Sequence, residues 1–266
     1  MNNKINSEVV EELRSWFNNY VQKFYKEKDP DFQQNIDLKR EHTERVVREI
    51  IRLGNELQLD EYALNLAEVI ALFHDIGRFE QYKRYQTFSD VRSEDHAMLG
   101  IRVLKEYDIL GALENNTHKL ILCAIEYHNR PFLPDRESET CLFYSRLIRD
   151  ADKLDIWRVV LGYYNRKNNE RNIAIELELP DTPGISREVY DALINKQIVY
   201  TKHVRNINDF KLLQAGWIYD INFEPTFRCV RERGYLEALR KNLPDTEAII
   251  EIFEIMDTYI KEREGN

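Results

Sequence analysis

The sequence predicts an all-α fold, because apolar residues recur at intervals of three and four along most of its 266 positions. Only nine glycines interrupt this helical period, and no internal repeat or low-complexity segment is present. The period predicts helices at about residues 6–27, 37–57, 60–75, 93–107, 116–128, 137–163, 186–195, 206–216, 222–241 and 245–263.

One segment departs from the helical period and predicts a small β-hairpin. Ile173 to Leu179 alternates apolar and acidic residues, which is the period of a half-buried strand, and residues 197–204 could pair with it. The polar stretch from Asn165 to Asn172 precedes this segment. We therefore expect a helical bundle over residues 1–165 and a mainly helical C-terminal extension over residues 166–266, packed together as one structural unit.

The charge balance limits the partners that the protein can bind. A formal net charge of −9 argues against binding of a nucleic-acid polymer, because such binding depends on clustered Lys and Arg. A small phosphorylated molecule, such as a single nucleotide, is compatible with this charge. The sequence leaves assembly into a homo-oligomer open.

The cysteines and the absence of long apolar runs predict a cytoplasmic protein without a membrane segment. No run of 18 or more apolar residues occurs, and the first residues are polar. The three cysteines are widely separated and form no Cys-x-x-Cys pattern. We expect reduced thiols in the core rather than a disulfide framework or a zinc ribbon. They are Cys123, Cys141 and Cys229.

Six residues with metal-binding side chains fall on the apolar faces or at the ends of predicted helices. His42 begins an apolar stripe that Val46 and Ile50 continue, and His74 ends the stripe of the next helix. A single buried histidine or aspartate is usually a hydrogen-bonded core residue or a helix cap. Burial of all six without partners would be strongly unfavourable, and a bound metal ion would offset that penalty. The six are His42, His74, Asp75, His96, His128 and Asp152.

The doublet His74-Asp75, followed by Ile-Gly-Arg, resembles the signature of the HD-domain superfamily of metal-dependent phosphohydrolases. The wider order is similar to the six-ligand variant of that pattern, with single histidines in REHTE, SEDHAMLG and EYHN and an aspartate in DADKLD. The resemblance spans residues 37–156 and implies a helical bundle with a two-ion centre that Asp75 bridges. It implies a first ion held by His42, His74, Asp75 and Asp152, and a second held by Asp75, His96 and His128.

The ligand types are compatible with the hydrolysis of a phosphate ester that the resemblance implies. Imidazole and carboxylate together favour Mn, Fe, Co, Ni or Zn over Mg or Ca. Two such ions roughly 3.5–4 Å apart can clamp a phosphoryl group and activate a water molecule. We therefore predict an enzyme that cleaves a phosphomonoester or phosphodiester with one or two divalent transition-metal ions, a nucleotide being one candidate substrate. No serine or cysteine lies in a recognisable nucleophile motif, so no covalent intermediate is expected.

Cationic side chains near the ligands in sequence are candidates for binding the substrate phosphate. Arg78 directly follows the HDIG turn and Lys153 directly follows an aspartate of the ligand set. We expect both to act in catalysis together with Asp75. Lys83 and Arg84 lie slightly further along the chain and are expected to bind substrate only. The alternative for each of these four cations is a solvated surface position, and the sequence favours that alternative for Lys83 and Arg84.

Two alternative functions use the same pattern of ligands. One is a di-iron oxygenase on the same fold, and the other is a non-catalytic nucleotide-binding regulatory module. The module is disfavoured because all six ligand positions are filled. The branch that acts on cyclic dinucleotides is also disfavoured, because it carries a His-His-Glu stretch and a Gly-Tyr-Pro motif. This chain has YHN at residues 127–129 and RPF at residues 130–132 instead.

Overall fold

A computed structural model describes residues 4–25, 29–165, 176 and 179–264. All regular secondary structure in these ranges is helical and they contain no β-strand, which confirms the predicted all-α class. The chain divides into two compact units, Met1–Asp152 and Lys153–Asn266. The predicted domain boundary at residue 165, and the packing of the C-terminal extension on the first domain, stay predictions.

The first unit is a bundle of helices whose apolar faces meet in one core. It contains α1 (Ser7–Gln22), α2 (Pro30–Glu56), α3 (Glu61–Phe73), α4 (Gly77–Tyr85), α5 (His96–Glu106), α6 (Asn115–Tyr127) and the first half of α7 (Glu139–Tyr164). α3 packs against α1, α2 and α6, and α4 packs against α2 and α5. Apolar residues at helical spacing, such as Ile50, Leu66 and Ile70, are buried at these contacts.

Aspartate caps fix the starts of two helices that matter for the site. Asp29 accepts a hydrogen bond from the N–H of Phe32, and Pro30 occupies the first position of α2. α2 therefore begins earlier than the predicted residue 37. Asp95 caps α5 by accepting hydrogen bonds from the first-turn N–H groups, so that His96 is the first residue of this helix.

The helical period did not predict α4, because Gly77 stands where a glycine commonly ends a helix. In the structure Gly77 instead allows α4 to approach α5 closely. A Cβ atom on Gly77 would overlap the carbonyl oxygen of His96 and lie 2.6 Å from the backbone nitrogen of Gly100. A Cβ atom on Gly100 would lie 3.2 Å from the nitrogen of Gly77. Because neither glycine carries a side chain, the backbone at the start of α5 can pack directly against the backbone at the start of α4.

A disulfide bond joins α6 to α7 within the first unit. It links Cys123 to Cys141, whose Cα atoms are 6.4 Å apart. The expectation of reduced thiols is therefore wrong for this pair, whereas Cys229 is buried and lies outside this disulfide. Consecutive helices bring together two cysteines that share no sequence motif. Because disulfides are uncommon in a reducing cytoplasm, the cysteines no longer argue for that compartment.

The second unit contains the C-terminal half of α7 and further helices among its described residues. These are α8 (Arg187–Ile194), α9 (Ile207–Gly216), α10 (Glu224–Glu232), α11 (Tyr235–Lys241) and α12 (Glu247–Glu264). The Nε1–H of buried Trp157 donates to the carbonyl of Gln214 at 2.9 Å, which ties α7 to α9. The predicted helix at residues 222–241 is two helices, because Gly234 between them has a φ of +63°. No helix described in either unit combines the length and apolar character that crossing a membrane requires.

The structure does not support the second half of the predicted β-hairpin. The segment from Ile173 to Leu179 lies mostly outside the described residues. Residues 197–204 are described, and they contain a short 3₁₀ helix at Thr201–His203 rather than a strand. The N–H of His203 donates to the carbonyl of Tyr200 at 2.9 Å. Backbone groups that bond locally in this way cannot form the continuous edge that strand pairing needs.

We expect Gly77→Ala to lower the free energy of unfolding by about 1–3 kcal/mol, because the added methyl group would overlap backbone atoms of α5. Urea unfolding followed by far-UV circular dichroism measures this change. Gly162→Ala is the control, since a Cβ atom at that position of α7 meets nothing within 4 Å. The control should be neutral or more stable by about 0.5–1 kcal/mol. Equal stabilities of the two variants would contradict the close contact of α4 and α5.

Candidate metal centre

Six ligand-type side chains meet inside the first unit. They come from α2 (His42), the C-terminal end of α3 (His74 and Asp75), the first position of α5 (His96), the C-terminal end of α6 (His128) and α7 (Asp152). All are buried except Asp152, whose side chain is 18% exposed. The structure therefore brings together every residue that the sequence predicted as a ligand.

One group of these side chains lies on the Oδ2 side of the Asp75 carboxylate. Oδ2 lies 3.6 Å from Nε2 of His42 and 3.9 Å from Nε2 of His74. Oδ1 of Asp152 completes the group at 3.0 Å from Nε2 of His42 and 3.8 Å from Nε2 of His74. Ligand atoms about 2.0–2.3 Å from one ion are themselves about 3–3.8 Å apart, so these separations suit a single ion.

A second group lies on the Oδ1 side of Asp75. Oδ1 is 3.3 Å from Nε2 of His96 and 3.8 Å from Nε2 of His128, and the two ring nitrogens are 3.0 Å apart. The close contact of α4 with α5 positions His96. Arg149 of α7 positions His128, because it donates to the carbonyls of Tyr127 and His128 at 3.2 Å each.

Hydrogen bonds determine which nitrogen of three histidine rings faces Asp75. The Nδ1–H groups of His74 and His128 each donate to a backbone carbonyl three residues earlier, at 2.7 Å. Because a carbonyl can only accept, Nε2 of each neutral ring carries a lone pair. His96 has the same tautomer, since its Nδ1 lies 2.7 Å from a carboxylate oxygen of Asp90.

The inward nitrogens therefore form a site for cations. Nε2 of His96 and Nε2 of His128 face each other with a lone pair on each, so a hydrogen bond between them would require an additional proton. Nε2 of His74 is completely buried and has no hydrogen-bond partner. The carboxylate of Asp75 adds negative charge between these nitrogens. This donor set of imidazoles and carboxylates fits divalent transition-metal ions.

The protonation states also fit metal binding. Burial lowers the pKa of His74 and of His96 to about 4, so both rings are neutral near pH 7. Burial alone would raise the pKa of Asp75, but the nearby charges of Lys39 and Arg78 hold it well below its ordinary value. Neutral imidazoles and ionised carboxylates are the forms that coordinate metal ions.

Comparison with known families agrees with this geometry. Residues 40–157 match the sequence model of the HD domain. This segment is an HD domain. The match confirms the resemblance to the superfamily of metal-dependent phosphohydrolases, and all six clustered side chains lie inside the matched segment. Searches with the chain found no match among curated proteins and none among solved structures.

Sequence reasoning missed Lys39, which lies just before the matched HD domain. Its Nζ is 2.8 Å from Oδ2 of Asp75 and 5.3 Å from the ring centre of Phe88. Lys39 precedes His42 by three residues on α2, so both side chains lie on the same face of the helix. That spacing was the available signal. It is weak by itself, because lysines at helical spacing from a core residue are common on surfaces.

Arg78 lies beside Asp75 and donates hydrogen bonds to several acceptors. Its Nε donates to Oδ1 of Asp75 at 3.3 Å. Its Nη1 contacts Oε1 of Gln81 at 2.9 Å, the carbonyl of Phe88 at 2.6 Å and Oδ1 of Asp90 at 3.0 Å. These bonds hold Arg78 and the carboxylate of Asp75 in a fixed arrangement. The predicted roles of Arg78 in catalysis and phosphate binding stay predictions.

The other three predicted substrate-binding residues take part in ion pairs. Lys83 and Arg84, on the HD-domain helix α4, contact Glu80 at 3.4 and 3.1 Å, and about half of each side chain is exposed. Lys153 contacts Asp220 at 2.6 Å within the second unit. The roles predicted for these residues in substrate binding, and for Lys153 also in catalysis, stay predictions.

We expect the metal-free protein to lose stability as the pH falls from about 6.5 towards 4. The pKa of His74 and of His96 is about 4 in the folded chain and 6.5 ordinarily, so the unfolded chain binds more protons in this range. Above pH 6.5 neither ring contributes to the pH dependence. In buffer with EDTA, the melting temperature should be lower at pH 5.5 than at pH 7 by about 5 °C.

The control for this titration is His74→Gln, which removes one of the two buried rings. It should roughly halve the fall in melting temperature between pH 7 and pH 5.5. A melting temperature of the unaltered protein that stays constant or rises over this interval would contradict the assignment of buried neutral rings.

Proposed function

We propose that this protein is a metal-dependent phosphohydrolase that cleaves a phosphomonoester or phosphodiester at a two-ion centre. The observation that carries the proposal is the position of Asp75. Its two carboxylate oxygens face two different groups of ligand atoms, at 3.6 and 3.9 Å on one side and at 3.3 and 3.8 Å on the other. A carboxylate in this position suits a bridge between two ions.

The residues of the chain would divide the work of such a reaction. When bound, divalent ions supply a Lewis acid and lower the pKa of a water molecule so that it can attack phosphorus. Asp75, Asp152 and the histidines would hold the ions, while Arg78 keeps the carboxylate of Asp75 in place. Lys39 places a cation 2.8 Å from Oδ2 of Asp75, and this cation would bind a phosphate oxygen of the substrate. We propose a small phosphorylated substrate, with nucleotides among the candidates.

The same donor set would also suit two irons, so a di-iron oxygenase is the alternative activity. Four imidazoles and two carboxylates favour Mn, Fe, Co, Ni or Zn, and Mg is less suited. A regulatory module that only binds a nucleotide would not need six converging ligands. The hydrolase releases phosphate, the oxygenase consumes oxygen and the regulatory module does neither, so assays of these two activities separate the three functions.

The test of the proposal is a phosphatase screen on metal-free protein that is reloaded with single metals. Nucleotides, sugar phosphates and aryl phosphates are offered under anaerobic conditions with Mn, Co, Ni, Zn or Fe. Release of inorganic phosphate or of a phosphomonoester with any of these metals supports the proposal. Oxygen consumption by iron-loaded protein in a separate aerobic assay, without phosphate release in the anaerobic screen, would support the oxygenase instead. Neither activity, together with nucleotide binding, would support the regulatory module.

We expect Asp75→Asn to abolish activity while the fold survives. The amide keeps the size of the side chain but removes the anion that compensates two cations, so at least one ion should be lost. Metal content by elemental analysis and phosphate release measure the effect, and far-UV circular dichroism verifies the helices. The control is His118→Ala in the first turn of α6, outside the six-residue cluster. Full metal content and activity in Asp75→Asn would contradict the proposed centre.

We expect Lys39→Met to lower kcat/KM for a phosphate ester by about 10- to 100-fold without loss of metal. The methionine keeps the length of the side chain but cannot contact a phosphate oxygen as a cation. Lys39→Arg should recover part of the loss, since it restores the charge. Lys105→Met, at an exposed position of α5, is the matched control. Unchanged kinetics in Lys39→Met would show that Lys39 does not act on the substrate.

A further inference from the structure

Asp90 is a carboxylate that the proposed reaction does not use, although it contacts a proposed ligand. It begins the short 3₁₀ helix Asp90–Arg92, which lies in the connection between α4 and α5. Its Oδ2 atom lies 2.7 Å from Nδ1 of His96 and 3.3 Å from Nδ2 of Asn129. The motif did not single out Asp90, because this residue lies six positions before the histidine that it contacts.

The carboxylate of Asp90 is itself held from two further directions. Its Oδ1 atom accepts hydrogen bonds from Nη1 of Arg78 at 3.0 Å and from Nε2 of Gln81 at 2.8 Å. Gln81 is completely buried, and its Nε2 also lies 2.9 Å from Oγ of Ser93. Asp90 can therefore neither rotate nor leave the ring of His96 without breaking several bonds.

Arg78 connects this carboxylate to the one at the centre. The same guanidinium donates to Oδ1 of Asp75 at 3.3 Å and to Oδ1 of Asp90 at 3.0 Å. His96 lies between the two carboxylates, with Nδ1 next to Asp90 and Nε2 3.3 Å from Asp75. The position of the ring relative to Asp75 is thus determined at both of its nitrogens.

His96 differs in this respect from two other histidines of the cluster. His74 and His128 each donate Nδ1–H to a backbone carbonyl, which a side-chain substitution cannot remove. His96 uses a side-chain carboxylate instead. A carboxylate bonded to the far nitrogen of a metal-binding histidine fixes the tautomer and makes the ring a stronger ligand. The second ion position therefore depends on a group that can be changed separately from every ligand.

We propose that Asp90 is a positioning residue that holds His96 for the second ion and so sets the affinity of that position. The second position is the one formed by Asp75, His96 and His128, and the inference rests on the proposed two-ion centre. Removal of such a carboxylate partner weakens metal binding by about 10- to 100-fold in general. The effect should be confined to the second ion, because Asp90 contacts His96, whereas the first position is formed around His42, His74 and Asp152.

One competing arrangement uses the same atoms. Oxygen atoms of Asp90 and Asp95 and a ring nitrogen of His96 lie within 4.8 Å of one another, so these residues could hold a cation of their own. Asp95, however, accepts hydrogen bonds from the N–H groups of Ala97 and Met98 as the cap of α5. Asparagine is as good a cap as aspartate, which makes Asp95→Asn a matched control for Asp90→Asn.

The experiment is a titration of metal-free protein with Mn²⁺, followed by calorimetry and by electron paramagnetic resonance. The unaltered protein should bind two ions and show the spin-coupled signal of a Mn pair. Asp90→Asn should bind the first ion normally, bind the second about 10- to 100-fold more weakly, and show mainly uncoupled Mn at two equivalents. Asp95→Asn should behave as the unaltered protein. The split between the two affinities is a result that a merely destabilised fold would not produce.

Each outcome has one meaning. Binding of fewer than two ions by the unaltered protein would defeat the proposed two-ion centre itself. Two ions in the unaltered protein and an unchanged second affinity in Asp90→Asn would overturn the role of Asp90 alone. An equal loss in Asp95→Asn would also overturn it, in favour of a cation held by Asp90, Asp95 and His96. If Asp90→Asn does not fold, Asp90→Glu replaces it, with an intermediate second affinity expected and an unchanged one overturning the proposal.

Discussion

The centre of the first unit depends on one buried carboxylate that stays ionised. Asp75 is compensated by Lys39 at 2.8 Å and by Arg78 at 3.3 Å, and this offsets the unfavourable burial of its charge. With those cations on its flanks, both carboxylate oxygens remain directed at histidine nitrogens. The contact between Gly77 and the start of α5 then keeps the ring of His96 within reach. The cations beside Asp75 and the backbone contact at Gly77 thus together determine how Asp75 and His96 face each other.

The helical period was sufficient for the fold class and for most helices, because each helix buries a face that recurs at three and four residues. It failed where a glycine has a tertiary role. Gly77 marks a close approach of two helices, so the pattern suggested an end where α4 begins. At Gly234 the pattern predicted one continuous helix, whereas the positive φ of this glycine divides the segment into two helices. Apolar patterns do not encode such backbone requirements, and the pairing of Cys123 with Cys141 depends on helix packing that they do not encode either.

The sequence was a better guide to the ligands than to the groups around them. The six clustered residues were predicted from a motif and from their helical faces, and the structure brings them together. Lys39 and Asp90 were not predicted, because neither belongs to the motif and the apolar pattern does not show which side chains contact its residues. Their contacts with Asp75 and His96 become visible only in the structure. Substrate-facing positions depend on relations between side chains that are far apart in the chain, and for this reason the motif could not supply them.

The disulfide between Cys123 and Cys141 closes a covalent ring across 18 positions of the chain, and His128 is the one member of the ligand cluster inside it. In the unfolded chain, such a ring removes conformational freedom from this segment. For a ring of this size the effect raises the free energy of the unfolded state by about 3 kcal/mol. The bond therefore acts mainly on the chain when it is not folded. Reduction of the disulfide would remove this effect. The fraction of unfolded chains, in which His128 is separated from the other five residues of the cluster, therefore depends on the thiol–disulfide balance of the surroundings.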